Sequence, residues 1–494
     1  MSEAKSWYTS TFNHAIKLQS SDPRVSAEGG VLLLREVDHR LGILDGLARN
    51  LYDPRRPDRI RYTIKELLRE CIYVQALGYG ADDEMDRLAH DPAVRLATWD
   101  RPGDRVLTER LASQPTHSRL LGILSDRKEN LEALRSTLPT TIEKHLRAAG
   151  KDRAVHWGTL DVDSFPQEVF GNQIGTGYHG YYRKKIYHPL VAGFAPEGNY
   201  DAGRLGDGFV HAILRGGTTD SAEGAVRFIQ TAVQRCRGMA RRLDVRFDAA
   251  FTDGHIMDAL TEDGTRFVGR LAVNPVLERL AAPFLARPVG RPPVAGYEFC
   301  VELEPHQPKS WKHAQRLILV VVDQPDSKTG QLDLQPRYFF LVTNWRWQEK
   351  TAKELLAHYR ARGTFEDRIG EFQNHVQPLL SSPDFATNEA AFLLAVLSFN
   401  LVSILRAELE SGASNGWSLD RVQRSVLKAG VLVQKAGHRI FVNVALAVTG
   451  LWTHVLNRLD KWSSPSKWPA PRVPSPRSWM PPPQHANLSL VLRN

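Results

Sequence analysis

The stretch "TLDVDSF", Thr159–Phe165, decides how the middle of the chain reads. In a strand, side chains alternate, so Asp161 and Asp163 share one face while Leu160 and Val162 share the other. Two carboxylates on one strand face are costly if buried without a cation. The surrounding segments extend the pattern. "KKIYHPLVAGFA" and "GFVHAILRGG" read as further strands. "DSAEGAVRFIQTAVQRCRGMARRL" reads as a helix, opening with Asp220 and Glu223 at capping-box spacing. "DVRFDAAF" is a strand, "GHIMDALTEDG" a short helix and "TRFVGRLAVN" another strand. Three strands, helix, strand, helix, strand is an α/β order that predicts a mixed sheet covered by helices.

On either side the texture differs. Residues 1–150 read as helices with short connections, as in "RYTIKELLRECIYVQALGYG", and suit a DNA-binding and docking domain or a plain helical packing domain. Between about 275 and 346 the helical period lapses, and "GYEFCVELE", "RLILVVVDQ" and "RYFFLVTNW" predict a β-rich insertion. Beyond a helix over the 350s to 370s, residues 386–460 are expected to be helical. An apolar helix occupies about 388–410 and another about 419–435. The run "AAFLLAVLSFNLVSIL" is shorter than a bilayer span and carries Ser398 and Asn400, so it reads as a buried helix. The segment 461–494 has eight prolines, five Lys or Arg and no Asp or Glu, which fits an extended basic tail rather than a core.

A chain of 494 residues is too long for one ordinary core. Its 42% hydrophobic and 24% charged content is that of a folded protein. The net charge of +9 suits a polyanionic partner, most simply nucleic acid. Cys71, Cys236 and Cys300 are far apart with no CxxC pair. This argues against a disulfide framework or zinc ribbon and fits a reducing cytoplasm. No secretory signal is visible in "MSEAKSWYTS".

Asp248 lies near a strand end in "VRFDAAF". In "YRARGTFEDRIGEFQ", helical spacing puts Tyr359, Arg362, Glu366 and Gln373 on one face. Taken singly, Asp248 could be a turn or cap residue and the stripe a solvated face with ordinary charge pairs. Taken together, an Asp on the first strand, an Asp on the strand after the first helix and a Glu on a later helix form an ordered set. In a ribonuclease H-like sheet the first and fourth strands are neighbours, so the late helix can bring its Glu to both. Converging carboxylates repel one another unless hard divalent cations, Mg²⁺ or Mn²⁺, sit between them. Two such ions can activate an attacking oxygen and stabilise the leaving one in phosphodiester displacement.

At these residues the chain resembles the DDE transposases of bacterial insertion sequences. The branch is the one with a β-rich insertion before the Glu and a Tyr-Arg-Glu-Lys signature, closest to the insertion sequence thirteen-eighty group. Tyr359, Arg362 and Glu366 match that signature, and Gln373 stands where the family has Lys. The family's first Asp is followed by Ser or Thr, which points to Asp163 before Ser164 rather than Asp161. The second matches Asp248 in an Arg246, Asp248, Phe251 context. The resemblance spans about residues 150–410. It implies a ribonuclease H-like catalytic core over 151–385, with Asp163, Asp248 and Glu366 catalytic and holding two Mg²⁺ or Mn²⁺ ions. It also implies double-stranded DNA partners, both terminal inverted repeats and target. Cleavage and strand transfer would follow in cut-and-paste fashion, through a hairpin in some members, by a homodimer in a synaptic complex. The setting implied is a bacterial cytoplasm, close to the nucleoid. Tyr359, Arg362 and Gln373 would contact DNA.

"YHGYYRKKIYHP" interleaves tyrosines with Arg183, Lys184 and Lys185, which suits DNA backbone contact and stacking beside Asp163, the alternative being a solvated hairpin with cross-strand aromatic pairs. Trp311 in "KSWKHAQR" is a candidate for stacking on a flipped base, the alternative being a core residue. Two rival readings are a ribonuclease H-fold nuclease that cuts without joining and a non-catalytic DNA-binding derivative.

Overall fold

The alternation in Thr159–Phe165 becomes the centre of an eight-stranded mixed sheet. The computed structural model describes residues 6–9, 11, 17–19, 24–80, 84–101, 105–150, 155–197, 207–287, 296–325, 335–411 and 416–463. The strands are β1 (Val155–Ser164), β2 (Leu190–Glu197), β3 (Gly208–Ile213), β4 (Ala240–Phe247), β5 (Arg266–Leu271), β6 (Tyr297–His306), β7 (Gln315–Asp323) and β8 (Arg337–Thr343). Their order across the sheet is β6-β7-β8-β5-β4-β1-β2-β3. β1 runs parallel to β4, and β4 parallel to β5, while β2 is antiparallel to both β1 and β3. This 3-2-1-4-5 order of the first five strands is consistent with a ribonuclease H-like core. The three later strands extend the same sheet, because β8 pairs antiparallel with β5.

The helices that matter to the site are α1 (Ile64–Ala76), α2 (Gln114–Ser125), α3 (Lys128–Gly150), α4 (Ala225–Cys236), α5 (Gly254–Glu262), α6 (Ala352–Arg360), α7 (Gly363–His375) and α8 (Phe385–Glu410). Leu160 and Val162 of β1 and Val245 and Phe247 of β4 are buried together with Phe228, Ile229 and Ala232 of α4 and Ile256 and Met257 of α5. The other face of β1 and β4, bearing Asp161 and Arg246, lies under α6 and α7. A second core joins helices from residues 31–148 to Phe365, Phe372 and the apolar side chains of α8. α8 is long and apolar enough to cross a membrane, but 94% of its most apolar window is buried inside the protein. It is a core helix, as expected.

Several local expectations are corrected. The stretch from Tyr359 to Gln373 is two helices, broken at Ala361–Arg362, so its polar stripe does not run along one straight face. Asp220 and Glu223 form no capping box. Asp220 accepts instead from the backbone N–H groups of Ala222 and Glu223, and α4 starts later, after Gly224 at φ 73°. Arg241 and Arg242 belong to β4, not to a helix face. Residues 275–281 are a helix capped by Asn274 rather than part of a β-rich run. "KKIYHPLVAGFA" splits at His188–Pro189, with Lys184–Tyr187 entering a separate small sheet. The helix expected over 419–435 stops at Leu427, and Val431–Ala436 pairs with Arg439–Val444 and with Val25–Ser26. Gly437 at φ 61° closes that hairpin, a conformation glycine adopts without a Cβ penalty. Of the basic tail, residues 464–494 lie outside the described residues.

Candidate active site

A ladder of polar pairs climbs the α6 face of β1 and β4. At the bottom, Asp244 accepts hydrogen bonds from Trp157 Nε1 and, at 2.9 Å, from Thr159 Oγ1, and its other oxygen lies 2.6 Å from His358 Nε2 of α6. One step up, Arg246 donates to both oxygens of Asp161 at 2.8 and 2.7 Å and to the His358 carbonyl at 2.7 Å. Asp161 and Arg246 are 2% and 4% exposed, so this is a buried structural pair with its charges matched. The register places Asp161 opposite Arg246 and Val162 opposite Phe247. One residue further on each strand stand Asp163 and Asp248, at the open end of the ladder.

Asp163 is held from two sides. Its Oδ1 accepts the Ser164 backbone N–H at 2.8 Å, and its Oδ2 accepts from Arg362 Nη1 at 2.9 Å. The second Nη of Arg362 donates to Glu366, one turn along α7. The guanidinium therefore bridges the first and third candidate acids. Burial pushes the Asp163 carboxyl up to about 6; Arg362 opposes this, and the charge of Asp248 reinforces it. Arg362 itself is held above its ordinary range, because the charges of Asp163 and Glu366 outweigh its burial. The side chains of Asp163 and Arg362 are 16% and 10% exposed and that of Glu366 is 55% exposed, so Glu366 alone is free to swing.

Glycine sets the approach of α7. A Cβ at Gly193 of β2 would stand 2.2 Å from the Phe365 ring, so only glycine lets Phe365, and with it Arg362 and Glu366, sit against the sheet. Tyr359 is half-buried beside Arg362, its hydroxyl raised chiefly by burial.

The remaining predicted residues fall as follows. Gln373 donates to the Pro166 carbonyl at 3.1 Å, tying α7 to the loop after β1. Lys184 pairs with Glu168 at 2.6 Å, and Lys185 donates to the Gly171 carbonyl and Asn172. Arg183 is exposed at φ 54° in the turn between Gly177–His179 and Lys184–Tyr187. Trp311 packs on Gly254, at the start of α5 and six residues after Asp248, and sits edge-on to His306. The sequence placed Tyr182 among the tyrosines suited to stacking, but did not single out His179 and His188 beside it. Their rings cluster at 4.8 and 5.5 Å, and the charges of Asp163 and Asp248 reach the Tyr182 hydroxyl. The stretch that holds them was singled out for tyrosines interleaved with cations, and of its rings it is Tyr182 that the charges of the acids reach.

Among the described residues, no three acidic, His or Cys side chains stand close enough as they are to hold a metal ion. The donor chemistry nevertheless fits a hard cation. Two hard-oxygen carboxylates end adjacent strands, one of them is reluctant to ionise, and a guanidinium occupies the position where positive charge is needed.

A family model described as transposase DDE domain group 1 matches residues 8–464. The chain belongs to the DDE transposase family. No curated protein matches it. One solved structure similar to it is a piggyBac transposase synaptic complex with hairpin DNA, determined by cryo-electron microscopy. That similarity has 12% identity and a TM-score of 0.43, covering 81% of this chain and 79% of the other. At that score the likeness adds nothing to what the sheet itself displays. Family membership makes this chain a transposase.

Proposed function

We propose that this transposase cuts DNA at the inverted-repeat ends of its own element and joins the freed 3′ ends to target DNA, with Asp163, Asp248 and Glu366 as its catalytic acids. The observation that carries this is the convergence of Asp163 and Asp248 at the ends of neighbouring parallel strands, with Arg362 linking Asp163 to Glu366. Asp163, Asp248 and Glu366 would hold Mg²⁺ or Mn²⁺, which when bound supplies activation of the attacking oxygen and stabilisation of the leaving oxygen. Glu366 reaches that arrangement by leaving Arg362, which releases Nη2 of Arg362 for a phosphate oxygen while Nη1 stays on Asp163. Tyr359 lies beside Arg362, and Tyr359 and Arg183 suit backbone contact. The Tyr-Arg-Glu matches at 359, 362 and 366 support placement in the Tyr-Arg-Glu-Lys branch, with a ribonuclease H-like core and a homodimeric synaptic complex.

The test is cleavage and joining by the purified full chain, with Mg²⁺ or Mn²⁺, on DNA carrying the inverted repeats that flank its reading frame. Asp163→Asn, Asp248→Asn and Glu366→Gln should each lower cleavage about a hundred- to a thousandfold, the scale of losing one preorganised charge-stabilising group, while end binding persists. Cleavage without joining would favour a nuclease. Retained cleavage in any variant would remove that residue from the set.

A further inference from the structure

Away from the acidic ladder, Cys71 of α1 lies 3.0 Å from Nδ1 of His117 on α2, and His117 Nε2 lies 2.9 Å from Glu70 Oε1. The other oxygen of Glu70 accepts the Ala112 backbone N–H at 3.2 Å, which fixes the carboxylate. All three side chains are buried. A carboxylate only accepts, so Nε2 carries a proton and Nδ1 is left facing the thiol as a base. Thiol, imidazole and carboxylate thus stand in the order of a nucleophile, its base and the group that orients the base.

The arrangement is not sealed in packed core. Cys71 and His117 line a cavity of about 260 Å³, shared with Gln75, Gln114, Ser118 and Leu394, large enough for a small molecule but not for a peptide. Residues 378–383, which follow α7, form another wall. The titratable groups facing the thiol are His117 and, behind it, Glu70, with Tyr79 on the same lining. Residues 378–383 and α8 contribute only neutral groups there. Tyr79 donates its hydroxyl proton to Glu28 at 2.7 Å.

We propose that Cys71, His117 and Glu70 form a reactive thiol site at which small hydroperoxides oxidise Cys71 to a sulfenic acid. His117 takes the thiol proton. The sulfur attacks one peroxide oxygen, an S–O bond forms and the O–O bond breaks. The departing hydroxide or alkoxide collects the proton from His117. Sulfur loses two electrons and the peroxide gains two, so the step needs no further reactant. Burial works against a charged His117, but Cys71 and Glu70 outweigh it and hold the imidazole well above its ordinary range, which favours the proton on His117.

The other two thiols are internal controls. Cys236 is fully buried with its thiol pushed up strongly by burial, and Cys300 is half-buried with its thiol also raised by burial. The full chain is treated with hydrogen peroxide in the presence of dimedone, and adducts at the three cysteines are followed by peptide mass spectrometry. Cys71 should react about tenfold or more faster than Cys300, and Cys236 not at all. His117→Asn and Glu70→Gln should lower the Cys71 rate to that of Cys300 or below while leaving Cys236 unreactive, which an unfolded variant would not do. Reaction of Cys71 no faster than Cys300 in the unaltered chain overturns the proposal without reference to any variant, as does an unchanged Cys71 rate in a folded His117→Asn protein.

Discussion

Asp161 and Asp163 lie two residues apart on one face of one strand, and their neighbours give them different work. Asp161 is closed off by two nitrogens of Arg246 deep under α6. Asp161→Asn leaves that guanidinium buried and short of a charge, and should cost about 3 kcal/mol in denaturant unfolding. Asp163→Asn relieves a reluctant buried charge and leaves Arg362 with Glu366, so its cost should stay within about 1 kcal/mol, while under the proposed function cleavage should be lost. Asp163 also sets a pH dependence. Its folded value of about 6 lies above the ordinary 3.8, so the folded, metal-free protein keeps a proton that the unfolded chain has lost. Stability from this group is therefore present at low pH and fades as pH rises to about 6. A divalent ion must displace the same proton. Its affinity, read by Mn²⁺ titration calorimetry, should fall by up to about tenfold per unit as pH drops below about 6, and lose that slope in Asp163→Asn.

At the scale of elements, the break between α6 and α7 is what aims the site. α6 is anchored by its own capping box, Thr351 with Glu354, and by the two contacts of His358 to the ladder. After the turn at Ala361–Arg362, Arg362 precedes the first turn of α7 and points back at Asp163, while Glu366 follows one turn later. Phe365 seats α7 in the space that Gly193 leaves open. Gly193→Val should push α7 off the sheet and cost about 1–3 kcal/mol, the usual range for overpacking. Cleavage should fall further than end binding, measured by gel shift on the same DNA. Cleavage equal to that of the unaltered chain would show that α7 does not need this seat.

At the scale of the molecule, the helices before β1 and the helices after α7 are one packed body rather than two flanking ones. α8 runs through it, in contact with helices from the first 150 residues and with the sheet. Asn400 of α8 accepts from the Phe209 N–H at 2.9 Å and donates to the Phe209 carbonyl at 2.8 Å, clasping β3 at a point where the backbone would otherwise be unpaired. A fragment cut to residues 151–385 would expose Phe209, Phe365 and Phe372 from this shared core. It should therefore fail to give a cooperative unfolding transition, whereas the full chain should give one; near-ultraviolet circular dichroism during thermal unfolding checks this.

Periodicity alone determined the central strands and the order of helices between them, because alternation and the 3.6-residue repeat are local properties that survive any packing. It also made α8 legible as a core helix, since Ser398 and Asn400 interrupt its apolar run. Asp163, Asp248 and Glu366 were singled out by chain order together with the family resemblance, which chose Asp163 over Asp161; what Tyr182 and His188 face was not legible, because nothing local tells a ring in a turn what lies across from it. The break at Arg362, the β-hairpin after Leu427 and the absorption of β6–β8 into the main sheet were decided by long-range contacts. So was the division of labour between Asp161 and Asp163. It depends on which side chain of β4 lies opposite each, and strand register between segments some 85 residues apart is a property of the folded sheet, not of either stretch.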